Sequence, residues 1–230
     1  MIRLAVAGAS GRMGRAILTL AARDKNFKIT GALESPQSEL LGEDVSRLIN
    51  VSEPLGVTIS SDPSLVLKES DVLIDFTHPS ATFSYLEAAV KTKTAYVLGT
   101  TGLDQKIKSA LLKNSKKIPI VQSPNMSIGV NLLFKLTEIT AKTLDESYDI
   151  EISEIHHRMK KDSPSGTAVK LLEVAAAARG KDLKKDVVYG REGEVGARRR
   201  GEIGVLALRG GDVVGDHTVA LLAACWVCSW

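Results

Sequence analysis

Two adjacent histidines and a nearby lysine give one short segment of this sequence the residues needed for proton transfer. His156 and His157 are followed by Lys160. Cationic groups held close together lower one another's proton affinity, which suits donors that work near neutral pH. Neighbouring residues on a strand face opposite ways, so the two histidines are predicted to have different roles unless the strand ends there.

A carboxylate site is predicted directly after these residues, where the chain turns into a helix. Pro164 ends the extended segment, and Ser165 is a plausible N-cap. The N–H groups of Gly166 and Thr167 would then point toward the lysine, and such donors beside a cation bind carboxylates. The alternative is a charged loop before a capped helix. We favour a functional site because proton donors and anion donors converge in it.

No metal site is predicted in this segment, because it has neither a His-x-x-x-His pair nor a carboxylate at useful spacing. Cys225 and Cys228 form a single C-x-x-C, without a second cysteine pair or a histidine at zinc-ligand spacing. They are expected to be free thiols, as is usual in the cytosol.

A glycine-rich segment near the start of the chain predicts a phosphate-binding loop, Gly8-Ala9-Ser10-Gly11-Arg12-Met13-Gly14. Glycines permit close approach of the backbone to a pyrophosphate, and the following helix start supplies N–H donors. A tight structural turn is the alternative. Glu34 favours the binding loop, because it ends the next predicted strand, 20 residues after Gly14, where a carboxylate can accept from the adenine ribose hydroxyls.

The cofactor predicted for this loop is NADH or NADPH. NADH is favoured because the Glu34 carboxylate repels a 2′-phosphate, although Arg12 could offset that charge. Two further loops at predicted strand ends are expected to face the cofactor, although either could be a plain turn. They read Gly99-Thr100-Thr101-Gly102 and Ser123-Pro124-Asn125-Met126.

Alternating strand and helix patterns dominate the first half of the chain and predict a parallel sheet. Strands are expected at 2–7, 28–34, 72–76, 95–98 and 118–122, with helices at 11–22, 80–90 and 104–114. In the first helix, Met13, Ile17 and Leu20 are spaced to share a face.

The pattern changes near residues 125–130. Helices are expected at 128–144 and 166–178, and strands at 148–157, 187–189, 203–208 and 217–222. Consecutive strands without helices suggest a mixed or antiparallel sheet. The predicted fold is α/β, with a Rossmann-like dinucleotide-binding domain over 1–126 and an α+β substrate-binding and oligomerisation domain over 127–230.

Composition places the chain among globular proteins with a sizeable core. It has 230 residues, of which 44% are hydrophobic and 25% charged, with a net charge of +3. That balance does not favour nucleic acid as a partner. The run Arg198–Arg200 is interpreted as a solvated loop, with attraction of an anionic cofactor or substrate as the alternative. Neither a membrane span nor a signal peptide is predicted, so the cytoplasm is the expected location.

Taken together, these segments resemble the dihydrodipicolinate reductase family, whose members are also called 4-hydroxy-tetrahydrodipicolinate reductases and act in diaminopimelate and lysine biosynthesis. The resemblance covers roughly residues 2–220. The matching segments are GASGRMG (8–14), DFTHPS (75–80), GTTG (99–102), SPNMSIGVN (123–131), ExHHRxKxDxPSGTA (154–168), GREG (190–193) and RGGDVVGDHT (209–218).

The resemblance implies reduction of 4-hydroxy-tetrahydrodipicolinate, a small dicarboxylate, with loss of water and hydride delivery to the conjugated imine carbon. By position it makes His156 a proton donor or acceptor and Lys160 a proton donor. It makes His157, Gly166 and Thr167 contacts of a substrate carboxylate. The nucleotide contacts it implies are Gly8, Ala9, Ser10, Gly11, Arg12, Met13, Glu34, Gly99, Thr100, Thr101, Ser123, Pro124, Asn125 and Met126. Ser35 stands where family members that use NADPH well often carry arginine, which again favours NADH.

The last matching segment ends at Thr218, and residues 220–230, which read ALLAACWVCSW, depart from the family. In the family, the chain continues through a further strand segment and a final helix that packs back onto the nucleotide domain. These C-terminal elements are expected to be missing here. The family's homotetramer is then expected to give way to an altered oligomer or to aggregation, with weak stability. The reason is that the apolar Trp226, Val227 and Trp230 would lie at an uncovered edge.

Two other functions are weighed against the reductase. A non-catalytic nucleotide-binding remnant is suggested by the altered tail, and it would bind NADH but reduce nothing. An aldehyde dehydrogenase that acts on an acyl phosphate needs a nucleophilic cysteine in its catalytic domain. Cys225 and Cys228 are misplaced for that role.

Overall fold

The computed structural model describes residues 1–223, and the chain divides into two compact units, Met1–Ser123 and a second that begins at Pro124. The division falls three residues before the boundary that the sequence predicts. The first unit has two hydrophobic cores, one on each face of its sheet, and the second unit has one. Among the helices of residues 1–223, none is long and apolar enough to cross a membrane.

A six-stranded parallel sheet forms the centre of the first unit. Its strands are β1 (Ile2–Ala7), β2 (Phe27–Leu33), β3 (Ile59–Ser60), β4 (Val72–Asp75), β5 (Ala95–Leu98) and β6 (Ile120–Gln122), in the spatial order β3-β2-β1-β4-β5-β6. β1 pairs with β2 on one side and with β4 on the other, so the strand order reverses at this point. Open parallel sheets bind their ligands at the carboxyl ends of the strands at such a switch point.

Helices cover both faces of this sheet. They are α1 (Arg12–Arg23), α2 (Ser46–Ile49), α3 (Pro63–Val66), α4 (Pro79–Thr92) and α5 (Gln105–Asn114), and a 3-10 turn at Leu67–Glu69 follows α3. Successive residues of β1 point to opposite faces and therefore to different cores. Val6 shares a core with Leu18 of α1, whereas Ala7 shares a core with Leu86 of α4. This arrangement confirms the predicted Rossmann-like parallel sheet.

Gly14, Leu18 and Ala21 form the buried face of α1. The three residues predicted to share a face differ in exposure, because Ile17 packs against the core whereas Met13 is 47% and Leu20 is 69% exposed. The helix contacts the loop most closely at Gly14, where a Cβ would lie 2.1 Å from the Gly8 carbonyl oxygen. The helix turns its smallest residue toward the loop, and that contact fixes the face that is buried.

A four-stranded mixed sheet forms the second unit, as the sequence predicts. Its elements are α6 (Ile128–Thr143), β7 (Tyr148–His156), α7 (Gly166–Arg179), β8 (Val187–Tyr189), β9 (Ile203–Arg209) and β10 (Asp216–Ala223). The strand order is β10-β7-β9-β8, with β10 antiparallel to β7 and the other two pairs parallel. The unit is thus an α+β fold in which β7 occupies an interior position.

The two faces of this mixed sheet differ. One packs against α6 and α7 in a core that includes Ile152 and Val205. On the other face Leu206 and Leu208 of β9 are 48% and 47% exposed. Arg198 lies in the loop between β8 and β9, but its side chain is only 19% exposed and donates hydrogen bonds to the carboxylates of Asp149 at 2.6 Å and Glu151 at 3.0 Å. The prediction that the run Arg198–Arg200 is solvated is therefore wrong for Arg198.

The predicted elements agree with the observed bounds to within two residues. The short elements α2, β3 and α3 were not predicted. Segments of two to four residues are too short for a hydrophobic period to be read from them. The predictions for Cys225, Trp226, Val227, Cys228 and Trp230 concern residues that lie outside the described part of the chain.

Candidate active site

The glycine-rich loop joins β1 to α1 at the switch point. Gly8 has a φ of +70°, and its N–H donates to the Leu33 carbonyl at 2.9 Å. The Gly11 N–H donates to the Gly8 carbonyl at 3.0 Å, which closes the turn. Gly11 caps α1 without a side chain, and the first turn of the helix carries no acidic residue. The first-turn N–H groups of Arg12 and Met13 therefore point out of the helix as donors for an anion.

Glu34 lies against the same loop. Its Oε1 accepts from the Ser10 N–H at 2.6 Å, and its Oε2 accepts from the Ser35 N–H at 3.3 Å. An ionised carboxylate has about four acceptor positions, so this group can hold the loop and still accept from a hydroxyl. Arg12 and Ser35 are both exposed. The fold thus brings together the loop and the acidic residue that the sequence predicts as partners.

A buried aspartate ties the GTTG loop to the end of β4. Asp75 is fully buried and accepts from the hydroxyls of Thr77 at 2.7 Å, Thr100 at 3.2 Å and Tyr96 at 2.5 Å. Burial, and next the charge of Asp75, raise the pKa of Tyr96 far above its usual range, so Tyr96 stays a donor. Thr77 also donates its N–H to Thr100 Oγ1 at 3.0 Å. These hydrogen bonds therefore fix Thr100 to the segment that follows β4.

Sequence reasoning missed the residues that follow β4 as parts of this site. A Cβ at Gly99 would lie 2.1 Å from the ring of Phe76, and a Cβ at Gly8 would lie 3.0 Å from Thr77 Cγ2. Phe76 and Thr77 thus lie against two of the predicted nucleotide loops. The DFTHPS match to the family contained them, but their part in the site depends on the pairing of β4 with β1.

The predicted loop after β6 spans the division of the chain. The Ser123 N–H donates to the Leu98 carbonyl at 3.2 Å, beside the start of the GTTG loop in the first unit. Pro124, Asn125 and Met126 belong to the second unit. There the Asn125 side-chain amide donates to Thr167 Oγ1 at 3.2 Å, so it lies at the start of α7.

In the second unit, His156 forms a buried pair with Glu154. The two residues lie two apart near the end of β7 and therefore share a face. His156 Nδ1 is hydrogen-bonded to Glu154 Oε2, and the Glu154 side chain is fully buried. The spacing argument against a carboxylate partner was therefore wrong, because a strand brings residues i and i+2 to the same side.

Arg209 holds this carboxylate from the neighbouring strand. Its Nη1 and Nη2 donate to the two oxygens of Glu154, each at 3.0 Å, and the Ser165 N–H donates to Oε1 at 3.0 Å. Burial raises the pKa of Glu154, but the hydrogen bonds from Arg209, His156 and Ser165 outweigh it and hold the pKa below its usual range. Glu154 is therefore an ionised carboxylate at neutral pH.

A third histidine joins this group from β10. His217 Nε2 lies 3.0 Å from Ser165 Oγ, and its ring meets that of His156 edge-on with centroids 5.0 Å apart. Burial, and next the proximity of His156, lower the pKa of His217. Ser165 Oγ also accepts from the Ala168 N–H at 3.2 Å, which confirms the predicted N-cap of α7.

Lys160 lies in the loop between β7 and α7. Its ammonium group is 2.9 Å from Asp162 Oδ1, and its side chain is 20% exposed. Arg209 Nη2 also donates to the Asp162 carbonyl at 2.6 Å, so the arginine links this loop to Glu154. His157 is half-buried and lies just beyond the end of β7. Within α7 the N–H groups of Gly166 and Thr167 have no helical acceptors and are available to an anion.

Glu154, His156 and His217 together offer three metal-ligand atoms within 4.8 Å of one another. The sequence did not suggest this group, because its members come from two strands. Both Glu154 oxygens already accept from Arg209, however, and a cation would have to displace the guanidinium. The arrangement fits a hydrogen-bonded acid–base group better than a metal centre.

The glycine loop with Glu34 at the switch point, and the His–Glu–Arg group of a separate α+β unit, define a two-domain oxidoreductase that uses a nicotinamide dinucleotide. A dehydrogenase from Thermus thermophilus, WlbA, solved in complex with NAD and UDP-GlcNAcA, shares this fold. It is 12% identical, with a TM-score of 0.58 over 96% of this chain and 81% of that one.

Residues 2–126 match the family model described as dihydrodipicolinate reductase, N-terminus, and residues 129–225 match the C-terminus model. The chain belongs to the dihydrodipicolinate reductase family. It is 48% identical to 4-hydroxy-tetrahydrodipicolinate reductase from Nitrosomonas europaea, over 94% of this chain and 80% of that protein. The dipicolinate-bound dihydrodipicolinate reductase from Paenisporosarcina sp. TG-14 is 26% identical, with a TM-score of 0.71 over 97% of this chain and 84% of that one.

Family membership confirms the resemblance drawn from the sequence motifs. It makes the chain an NAD(P)H-dependent oxidoreductase of diaminopimelate and lysine biosynthesis. The alternative function, an aldehyde dehydrogenase that acts on an acyl phosphate, is thereby excluded.

Proposed function

We propose that this chain reduces 4-hydroxy-tetrahydrodipicolinate with NADH in preference to NADPH, and that His156 and Lys160 handle the protons. One observation carries the proposal. Arg209 ties the buried Glu154–His156 pair to the loop that carries Lys160, and Glu154 accepts from the cap of α7. Proton-transfer groups and anion donors are thereby gathered at one end of the mixed sheet, as an imine reduction of a dicarboxylate requires.

The dinucleotide would be held by the loops of the first unit. The N–H groups at the start of α1 suit its pyrophosphate, and Glu34 suits the adenine ribose hydroxyls. The proposed contacts beyond Gly8–Met13 and Glu34 are Gly99, Thr100, Thr101, Ser123, Pro124, Asn125 and Met126. When bound, the nicotinamide supplies the hydride. The preference for NADH follows from the charge of Glu34, which opposes a 2′-phosphate.

The side chains of the second unit would orient the substrate and move protons. Loss of water from the ring puts a proton on the departing hydroxyl and removes one from the neighbouring ring atom, so it needs both an acid and a base. The hydride then adds to the conjugated imine carbon, and one further proton completes the product. Lys160 and His156 are proposed to supply or relay these protons. His157 and the N–H groups of Gly166 and Thr167 are proposed to bind a carboxylate. The dipicolinate held by the Paenisporosarcina relative is itself a dicarboxylate, which supports this assignment.

We further propose that the chain works in the cytoplasm as a homo-oligomer, and that the functional division follows 1–126 and 127–230. Support for association comes from the uncovered face of the mixed sheet, where Leu206, Leu208 and Leu222 are 48%, 47% and 53% exposed. Apolar side chains gathered on one face of a sheet are typical of protein interfaces.

An assay of NADH oxidation with freshly prepared substrate tests the proposal. Turnover that needs both NADH and the substrate is the expected result. Saturable NADH binding without any turnover would instead support the non-catalytic remnant. Comparison of kcat/KM for NADH and NADPH tests the nucleotide preference separately.

A further inference from the structure

The buried carboxylate Glu154 is placed to control the ring of His156. We propose that Glu154, anchored by Arg209, is a positioning residue that fixes the tautomer and orientation of His156 and so prepares Nε2 for proton transfer. The proposal rests on the proposed role of His156 in the reaction.

The hydrogen bond to Nδ1 is the first support. Because Glu154 is ionised, it accepts, and the neutral imidazole must carry its proton on Nδ1. Nε2 is then the nitrogen that can take up or release a proton. A hydrogen bond at one ring nitrogen determines the chemistry available at the other, as in triads that use a carboxylate to orient a histidine.

The second support is the immobility of the carboxylate. Glu154 accepts from four donors, namely His156 Nδ1, the Ser165 N–H and two guanidinium nitrogens of Arg209. These donors come from β7, from the cap of α7 and from β9. With its side chain fully buried and both oxygens engaged, the carboxylate cannot turn away from the ring.

The third support is the close packing beside Nε2. A Cβ at residue 215 would lie 2.6 Å from His156 Nε2 and 2.9 Å from Cδ2, so any residue other than glycine would push against the ring and disturb its orientation. His217 meets the His156 ring edge-on with centroids 5.0 Å apart, and Lys160 and Asp216 are close enough to His217 to influence its pKa. Burial lowers the pKa of His217, so this neighbour stays neutral and does not oppose a positive charge on His156.

The decisive variant is Glu154→Gln, which keeps the size of the side chain and removes its charge. The matched control is Glu202→Gln, because Glu202 is also a buried carboxylate paired with an arginine, Arg191, at 2.8 Å in the same unit. We expect Glu154→Gln to lower kcat by at least about tenfold while the KM for NADH stays close to that of the wild type. Glu202→Gln should leave kcat nearly unchanged.

Imidazole ¹⁵N NMR spectra supply a readout that does not depend on turnover. The wild type should show His156 protonated at Nδ1 in its neutral form, and Glu154→Gln should show a mixture or the Nε2-protonated form. The same tautomer in both proteins would overturn the proposal. Equal losses of kcat in Glu154→Gln and Glu202→Gln would also overturn it, because a general loss of stability would then explain both.

A double variant separates this proposal from the proposed function. If Glu154 acts through His156, adding Glu154→Gln to His156→Gln should cost less than twofold in kcat beyond the single His156 change. Full turnover in His156→Gln would refute the role of His156, even if the NMR spectra still showed control of its tautomer. If the fold-loss of kcat in the double variant equals the product of the two single losses, the positioning role of Glu154 is refuted while the role of His156 stands.

Discussion

At the scale of single residues, the proposed catalytic segment is a balanced set of charges and not a cluster of cations. The sequence predicted that neighbouring cations would depress one another's proton affinity. The fold instead inserts Glu154 between His156 and Arg209, and pairs Lys160 with Asp162 at 2.9 Å. Burial contributes more than His156 to the lowered pKa of His217. The positive charges are thus neutralised locally, which allows them to be packed together.

Lys160 should be essential for turnover and dispensable for nucleotide binding. Lys160→Ala removes the proposed proton donor, so we expect kcat to fall by roughly 10²-fold or more while NADH affinity is retained. Lys161→Ala is the control, because this exposed neighbour takes no part in the proposed chemistry. Steady-state kinetics and a fluorescence titration with NADH make the two measurements. Near-normal turnover in Lys160→Ala would contradict the assignment.

Glu34 should set the nucleotide preference. Glu34→Ser removes both the proposed contact with the ribose hydroxyls of NADH and the charge that opposes the 2′-phosphate of NADPH. The ratio of kcat/KM for NADH to that for NADPH should therefore fall by about tenfold or more. Glu39→Gln removes an exposed carboxylate nearby and should leave the ratio unchanged. A wild type that clearly prefers NADPH would show that Arg12 outweighs Glu34.

At the scale of elements, the site depends on how closely α1 approaches the glycine loop. Gly14 is buried, and a Cβ there would lie 2.1 Å from the Gly8 carbonyl oxygen and 2.8 Å from Ala9 Cα. Both obstacles are backbone atoms, so the loop itself would have to move. The same loop is proposed to present its N–H groups to the nucleotide, so one substitution should affect both the helix packing and the proposed cofactor site.

Gly14→Ala should therefore weaken both folding and nucleotide binding. We expect a loss of about 1–3 kcal/mol in the free energy of unfolding, as is usual for overpacking, together with a raised Kd for NADH. Gly129→Ala in α6 is the control, since its Cβ would meet only Ser127 Oγ at 3.8 Å. Alanine is the better helix former, so that variant should be neutral or slightly stabilised. Denaturant melts and calorimetric titration compare the two, and an unaffected Gly14→Ala would contradict the steric argument.

At the scale of the whole molecule, the mixed sheet provides the surface for the proposed oligomer. One face is covered by α6 and α7, whereas Leu206 and Leu208 on the other are about half exposed. Near these leucines, Glu151 lies over Gly204 and is paired with Arg191 at 2.9 Å. The face therefore combines apolar side chains with paired charges, which is the usual composition of an interface between subunits.

Charge placed on this face should break the oligomer. Leu206→Asp with Leu208→Asp would bury two carboxylates at the proposed interface, so light scattering should report a smaller species than the wild type forms. Leu132→Asp changes an exposed leucine of α6, 56% exposed, and should leave the mass unchanged. If only Leu132→Asp dissociates the protein, the interface lies on α6. A wild-type protein that is monomeric would contradict the proposed assembly.

The amino-acid sequence by itself determined the features that depend on neighbours along the chain. The glycine spacing after β1, the Ser165 cap and the alternation of strands with helices follow from short-range geometry, and each was confirmed. Family motifs added the reaction. Only the tertiary structure decided which residues meet across the sheets. Arg209 lies 55 residues from Glu154, and His217 lies 52 residues from Ser165. These contacts exist because β7 pairs with β9 on one side and β10 on the other, and strand order is a property of the folded sheet that no local spacing encodes.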